Sequence, residues 1–236
     1  MNKILVSNNT KDIKLSSGEY LLEYVEDGDY ELNFIISGNV KLIECSFDKE
    51  INTTNRYTIK SGSLDIIKFY NNLSVIEEDN IDICKAGVMV NYYFSNICRG
   101  IEKYIINVNH NAKNTKSNII NKSVALQNSD IKYIINSSVL KECNNSILDQ
   151  TTRIVTMGEC NASISPNMFI DLDDVEAKHG SVIGSFKEEQ IFYLMSKGIN
   201  YNDSLKLLIK GYLLGNFLGD PELRFRIIDI IDTYWR

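Results

Sequence analysis

The sequence lacks several signatures that would assign a function at once. Its five cysteines are scattered and no two of them are spaced as C-x-x-C, which argues against a disulfide framework and against a zinc knuckle. No apolar run approaches the roughly 18 residues of a transmembrane helix, and the first residues do not resemble a signal peptide. We therefore expect a cytoplasmic protein that does not associate with membranes.

Charge of one sign is not concentrated in any segment either. The formal net charge of -6 is spread along the sequence, without the Lys/Arg cluster typical of nucleic-acid binding, so we expect no nucleic-acid partner. Neither a Walker A sequence nor G-x-G-x-x-G occurs, and residues 180–184 do not have the G-x-S-x-G spacing. An EF-hand loop beginning at Asp171 would need Gly and Glu where Glu176 and Val182 stand. The chain therefore does not bind nucleotide or calcium through any of these motifs.

Short β-prone runs, separated by clusters of Asn, Ser, Asp and Gly, fill the sequence from about residue 19 to residue 171. Their spacing fits a sandwich, a barrel or a β-solenoid, and no strict hexapeptide or nonapeptide repeat decides among them. Asn-rich corners, as at residues 107–111 and 144–145, favour the solenoid, because Asn tolerates the left-handed conformation of tight corners.

From about residue 185 the pattern becomes helical. Residues 185–188 have the form of a capping box, which predicts a helix from about Phe186 that ends at Gly198. A second helix is predicted from about Asp203 to Phe217, and a third after Asp220 and Pro221. Apolar residues at helical spacing predict the buried faces of the last two helices: Leu205, Leu208, Ile209, Tyr212, Leu213, Ile227, Ile228, Ile231 and Tyr234. We thus predict a mainly β domain over residues 1–184 and a small helical domain over residues 185–236.

Three side chains are candidates for chemistry or for a structural role. A lone histidine is more often structural than catalytic, and this is the interpretation that we favour for His110. Cys160 fits two interpretations equally, as a small buried hydrophobe or as a soft thiolate that binds iron or accepts sulfur. His179 lies in a longer motif.

Two adjacent motifs resemble the SufB/SufD family. Residues 166–184 contain a Pro with an apolar strand, an Asp-Val, a His-Gly and a final Gly in the order of that family's signature, with Ser181 in place of the usual Ala. Residues 189–198, EQIFYLMSKG, resemble the family's E-Q-L-F-Y-L-x-S-R-G, with Lys197 in place of Arg. Weaker V-x-H and T-x-S elements at residues 108–110 and 115–117 extend the resemblance to roughly residues 105–218.

The resemblance implies a right-handed parallel β-helix followed by a helical domain that binds a SufC-type ABC ATPase. Such a protein is a scaffold rather than an enzyme. It holds a transient iron–sulfur cluster, and no permanent cofactor, where its β-helix meets a second copy or a SufB/SufD paralogue. His179, and Cys160 one strand earlier, would then be the ligands for the iron or the cluster, brought together by adjacent coils. The motif also implies the residues that contact the ATPase: Phe192, Tyr193, Leu194, Lys197 and Gly198.

The branch of the family stays open. Gly180 follows the histidine as in the SufD branch, whereas Cys160 lies almost where SufB members place a cluster-related cysteine. The N-terminal region is also expected to be short for the family. Two alternatives accompany this interpretation: a degenerate member that serves as a structural or regulatory partner without a cluster, and a β-solenoid enzyme acting on polysaccharide through Asp171, Asp173 and Asp174.

Overall fold

The computed structural model describes residues 1–215, 217 and 221–235. Within these residues, twelve parallel strands form a β-solenoid of about six turns, and three helices follow them. The predicted parallel β-helix with C-terminal helices is therefore confirmed, although the strands begin at residue 2 and continue to residue 184. The strands are β1 (Asn2–Val6), β2 (Asp12–Tyr24), β3 (Gly28–Phe47), β4 (Glu50–Asn71), β5 (Ser74–Ile83), β6 (Met89–Cys98), β7 (Ile101–His110), β8 (Lys116–Ala125), β9 (Asp130–Val139), β10 (Ser146–Thr156), β11 (Asn161–Ile170) and β12 (Val175–Gly184); the helices are α1 (Glu188–Ser196), α2 (Tyr201–Leu214) and α3 (Pro221–Tyr234).

The strands stack into two faces, which we call sheet A and sheet B. Sheet A contains β1, the second halves of β2, β3 and β4, and then β6, β8, β10 and β12. Sheet B contains the first halves of β2, β3 and β4, and then β5, β7, β9 and β11. Because neighbouring strands are parallel and in register, a residue lies beside its counterpart one coil away, and alternate residues face the lumen.

Glycine and asparagine form the corners of the solenoid. The long strands β3 and β4 cross from sheet B to sheet A at Gly38 (φ 108°) and Gly62 (φ 84°), and a Cβ atom on Gly62 would lie 2.1 Å from the carbonyl of Gly38. Other corners place Asn114, Asn128 and Asn145 at φ between 58° and 65°, in the left-handed region. Asn145 confirms the predicted corner at residues 144–145, since Asn tolerates this backbone conformation. The predicted corner at residues 107–111 is wrong, because residues 107–110 complete β7, where the side chains of Asn107 and Asn109 donate hydrogen bonds to Asn80 and Asp82 on the neighbouring β5.

The helices cover the outer face of sheet A. Ile209 and Leu213 of α2, and Ile227 and Ile231 of α3, are fully buried there, which confirms the predicted apolar stripes. The hydroxyl of Tyr212 donates to the carbonyl of Arg153 on β10 at 2.6 Å. The residues of sheet A that lie beneath the helices include Ile43, Phe47, Phe69, Val124 and Val155. The helical layer therefore crosses several coils and holds them together.

The start of α1 differs from the prediction. The helix begins at Glu188 after Lys187, which makes no side-chain cap, so the capping box at Ser185 is wrong. The reason is tertiary: Phe186 is buried against the ring of Tyr212 and draws the chain into an extended conformation. Gly198, at φ 85°, ends α1 as expected, whereas the predicted cap at Asp220 lies outside the described residues. None of the described helices has the length and apolar character needed to cross a membrane.

Candidate functional site

The two ends of the solenoid differ in how well their interiors are covered. At the N-terminal end the inward side chains of Ile13 and Leu15 are 8% and 2% exposed. At the other end, within the part of the chain that the structure describes, β11 pairs only with β9 and β12 only with β10, and the inward Ile183 is 46% exposed. We call residues 161–184 the open end. Its two strands carry unpaired backbone edges, which are ready to pair with another chain.

His179 lies at the open end, in the middle of β12. Its register partner on β10 is Gln150, which is buried and faces the lumen, so the Cβ of His179 also points to the lumen side. The imidazole is exposed because no described residue forms a further coil over it. Earlier coils place Tyr92 and Ile119 in the same inward row, so the row changes from apolar to polar as it reaches the open end. His179 thus sits at the mouth of the lumen.

Cys160 lies elsewhere, in the turn between β10 and β11. It is partly buried, and burial raises the pKa of its thiol. It lines an open pocket of about 430 Å³ together with Asn128, Thr156 and Glu159. The expectation that adjacent coils bring Cys160 beside His179 is wrong. Cys160 follows the end of β10, whereas His179 lies beside Gln150, in the middle of that strand. At about 3.3 Å per residue, Gln150 is about 20 Å from the end of β10.

His179 at the open end and Cys160 in the turn before it can each contribute a ligand to a shared site but do not complete one. A neutral imidazole and a thiolate are both competent ligands for iron. Among the described residues, no group of three or more His, Cys, Asp or Glu side chains could hold a metal ion. A cluster bound at His179 would therefore need further ligands from a second chain or from sulfide.

His110 has the surroundings of a structural histidine. It is fully buried, and its Nδ1 and Nε2 lie 2.7 Å from Thr115 Oγ1 and 2.9 Å from Ser117 Oγ. Burial lowers the pKa of His110 to about 4, so the ring is neutral at physiological pH. The two short sequence elements noted upstream therefore meet in one hydrogen-bond network inside the lumen, which supports the structural interpretation.

The acidic residues considered for a polysaccharide-acting enzyme do not lie on a strand. Asp171, Asp173 and Asp174 are in the loop between β11 and β12, so strand alternation does not orient them. The carboxylate of Asp171 forms an exposed ion pair with Lys141 at 3.0 Å. This geometry offers no paired carboxylates facing a substrate cleft.

A buried charge cluster in the lumen was not anticipated from the sequence. The ammonium of Lys68 lies 3.2 Å from Glu44, 3.0 Å from Glu77 and 2.7 Å from Asp79, and all four side chains are at most 2% exposed. Burial alone would lower the pKa of Lys68, but the carboxylates around it raise it well above its usual value. Burial, and then the neighbouring Asp79, raise the pKa of Glu77 to about 8. Because these residues come from β3, β4 and β5, no local pattern could have revealed them.

A second buried acid lies on a later coil. Glu102 accepts hydrogen bonds from Asn96 and, at 2.8 Å, from the hydroxyl of Tyr104. Burial raises the pKa of Glu102 to about 7. The lumen therefore holds several carboxyl groups that keep their protons at unusually high pH.

The predicted contacts for the ATPase lie on and beside α1, which has no buried residue. Phe192 and Tyr193 are both 63% exposed, and the ammonium of Lys197 lies 5.4 Å from the centre of the Tyr193 ring. Leu194 is partly buried, and Gly198 forms the turn that ends the helix. Large exposed aromatic side chains of this kind are typical of protein interaction surfaces.

Comparison with known proteins decides the family. Residues 93–212, about half of the chain, match the model of the family described as "SUF system FeS cluster assembly, SufBD core domain". The chain belongs to the SufB/SufD family. The matched region runs from β6 to α2 and includes His179, Cys160 and all five predicted α1 contacts.

Relatives within the SufB/SufD family are longer than this chain. The iron–sulfur cluster assembly protein SufB of Bacillus subtilis is 28% identical over 106 residues, which are 44% of this chain and 23% of that protein. A SufBD family protein of Mycobacterium leprae is 27% identical over 156 residues, 61% of this chain and 39% of the relative. SufD of Escherichia coli is 37% identical over 65 residues, 27% and 15% of the two chains. The matches thus span well under half of each of these relatives.

Proposed function

We propose that this protein is a scaffold component of a SUF-type complex, on which an iron–sulfur cluster is assembled, and that it is not an enzyme by itself. The observation that carries the proposal is the match of residues 93–212 to the SufBD core domain, which ends in an open solenoid with His179 at its mouth. The cluster is cargo rather than a resident cofactor in this proposal.

The partner at the open end is a second copy of the chain or a SufB/SufD paralogue. A second β-solenoid would pair with the free edges of β11 and β12 and would cover inward side chains such as Ile183 and Ala177. At the N-terminal end β1 and the first half of β2 also have one unpaired edge each in the described chain, but the inward Ile13 and Leu15 are buried, so this end offers no comparable exposed interior. When both chains use the same end for the interface, no free copy of that surface remains to bind a third chain, so the result is a dimer instead of a filament.

His179 is the first ligand of the nascent cluster in this proposal, and Cys160, in the turn between β10 and β11, contributes a further ligand. The two side chains of one chain are too far apart to share an iron, so the complete site draws on both chains. Each chain then needs to supply only one or two ligands.

Anaerobic reconstitution with iron, sulfide and the ATPase tests this role. We expect the visible absorption of a cluster in the wild type, at least a fivefold loss in His179→Ala and a smaller loss in Cys160→Ala. Cys84→Ala, at an exposed free cysteine away from the open end, is the matched control and should match the wild type. Full cluster yield in folded His179→Ala would reject the site, and a wild type that forms no cluster would favour a purely structural or regulatory partner.

The ATPase partner is of the SufC type and contacts α1 in this proposal. Replacing Phe192 and Tyr193 together by Ser should abolish co-purification with the ATPase. Phe225→Ser removes an equally prominent aromatic ring, 72% exposed on α3, and should leave binding intact. Equal binding by both variants would place the contact elsewhere.

A further inference from the structure

Gln150 lies beside His179 on the adjacent strand β10, one coil further from the open end, and one of its polar atoms has no hydrogen-bond partner among the described residues. Its side chain is 2% exposed, and no described residue forms a hydrogen bond to Oε1. A buried amide oxygen without a hydrogen bond destabilises the folded state, so such an atom calls for a donor.

The orientation of the Gln150 amide is fixed by its other end. Nε2 donates to Ser137 Oγ on β9 at 2.6 Å and lies 3.5 Å from the backbone carbonyl of Asn167 on β11. A carbonyl only accepts hydrogen bonds, so the NH2 group must face across the lumen. Oε1 is consequently the amide atom that is left without a hydrogen bond among the described residues.

The next residue along the inward row is His179. It is in register with Gln150 on the adjacent strand, at the usual strand spacing of about 4.8 Å, which a glutamine and a histidine side chain can span together. A neutral imidazole has one N–H donor and one acceptor nitrogen. We propose that Gln150 is the positioning residue of His179: its Oε1 accepts the N–H of one ring nitrogen and leaves the other nitrogen free at the mouth of the lumen.

This arrangement would give His179 the second partner that metal-binding histidines usually have, a hydrogen-bond acceptor that fixes the tautomer and the ring orientation. It also accounts for the change from Ile119 to Gln150 in an otherwise apolar row. The functional meaning rests on the role proposed for His179, but the hydrogen bond itself can be measured without iron.

Ring nitrogen NMR of the full chain tests the proposal. The sequence has only two histidines, so 15N labelling of histidine gives a simple spectrum in which His110 reports on the intact lumen. At pH 8, where an ordinary imidazole is neutral, His179 should show the two widely separated 15N shifts of a single tautomer. In Gln150→Met that separation should fall toward the mixture seen in free histidine, and Gln150→Glu, which keeps an acceptor, should restore it.

Gln190→Met, at an exposed position on α1, is the control and should leave His179 unchanged. The proposal is overturned if His179 shows a tautomer mixture in the wild type, a result that stands even if Gln150→Met does not fold. Identical His179 shifts in the wild type and Gln150→Met would also overturn it. Since these spectra are recorded without iron, they are independent of whether a cluster forms.

Discussion

At the scale of single residues, the most consequential feature is the number of ionisable groups inside the lumen. Three carboxyl groups surround one ammonium at Lys68, and Glu102 is buried without a cation in hydrogen-bond contact among the described residues. Full ionisation would leave net negative charge in a low-dielectric interior, which is costly. Some of these carboxyl groups are therefore protonated in the native state near neutral pH.

Glu102 should make the stability of the protein depend on pH. Its ordinary pKa of 4.5 applies in the unfolded chain, and burial raises the pKa to about 7 in the native state. Between these values the native state binds more protons, so the free energy of unfolding falls as the pH rises. Glu102→Gln should unfold like the wild type at pH 5 and be more stable at pH 8, by on the order of 1–3 kcal/mol.

Urea denaturation at pH 5, 6, 7 and 8 measures this difference. Glu31→Gln, at an exposed position, serves as the control and should follow the wild type at every pH. If the free energy of unfolding changes with pH in the same way in Glu102→Gln and in the wild type, Glu102 is ionised in the native as well as in the unfolded state over this pH range.

Lys68 is expected to be essential to the charge cluster. Lys68→Met removes the cation that Glu44, Glu77 and Asp79 share, so the free energy of unfolding at neutral pH should fall by on the order of 3–5 kcal/mol. Lys41→Met, which breaks an exposed pair with Glu19, should cost about 1 kcal/mol or less. Denaturant midpoints compare the two, and similar losses would mean that the buried cluster contributes no more than a surface pair.

At the scale of elements, the corners at which a strand continues from one sheet to the other need glycine for two reasons. Glycine adopts the positive φ, and it has no Cβ atom to collide with the backbone of the adjacent coil. Gly62 and Gly87 both have positive φ. A Cβ atom on Gly62 would collide with the backbone of Gly38, whereas a Cβ atom on Gly87 would have no atom within 4 Å. Gly87→Ala should cost about 1–2 kcal/mol for the left-handed conformation alone. Gly62→Ala should cost about 3 kcal/mol or more, because crowding adds to the strain. Thermal unfolding compares the stability of the two variants. Equal losses of stability in Gly62→Ala and Gly87→Ala would contradict the close contact between Gly62 and Gly38.

Elements defined by local chemistry were predictable, and features defined by register were not. The corner at Asn145 and the stripes at Ile209 and Ile227 follow from conformational preference and helical period, and these could be predicted. The same preference misplaced a corner at residues 107–111, because Asn107 and Asn109 instead donate side-chain hydrogen bonds from β7 to β5. The capping box at Ser185 failed because packing of Phe186 outweighed a local signal. The separation of Cys160 from His179 depends on how many residues each coil contains, which no motif states. The cluster around Lys68 depends on three strands that meet only in the folded solenoid.

At the scale of the whole molecule, inward side chains are buried at the N-terminal end and exposed at the open end, and this difference predicts how copies associate. Ile183→Glu places a charge on the inward row of the open end and should convert the proposed dimer into a monomer. Leu5→Glu places the same charge on β1 at the N-terminal end, where Leu5 is 56% exposed, and should leave the proposed dimer intact. Sedimentation velocity distinguishes these outcomes. A dimer that survives Ile183→Glu, or one that Leu5→Glu splits, would contradict association through the open end.

In the role proposed for His179, its imidazole binds a nascent cluster at the mouth of the lumen. Pulsed EPR of the reduced cluster on the 15N-histidine-labelled chain, reconstituted with its ATPase, detects this bond. We predict hyperfine coupling from an imidazole nitrogen that is absent in His179→Ala, because His110 is buried and already hydrogen bonded at both ring nitrogens. A cluster that forms on the wild type without any imidazole coupling would contradict the account.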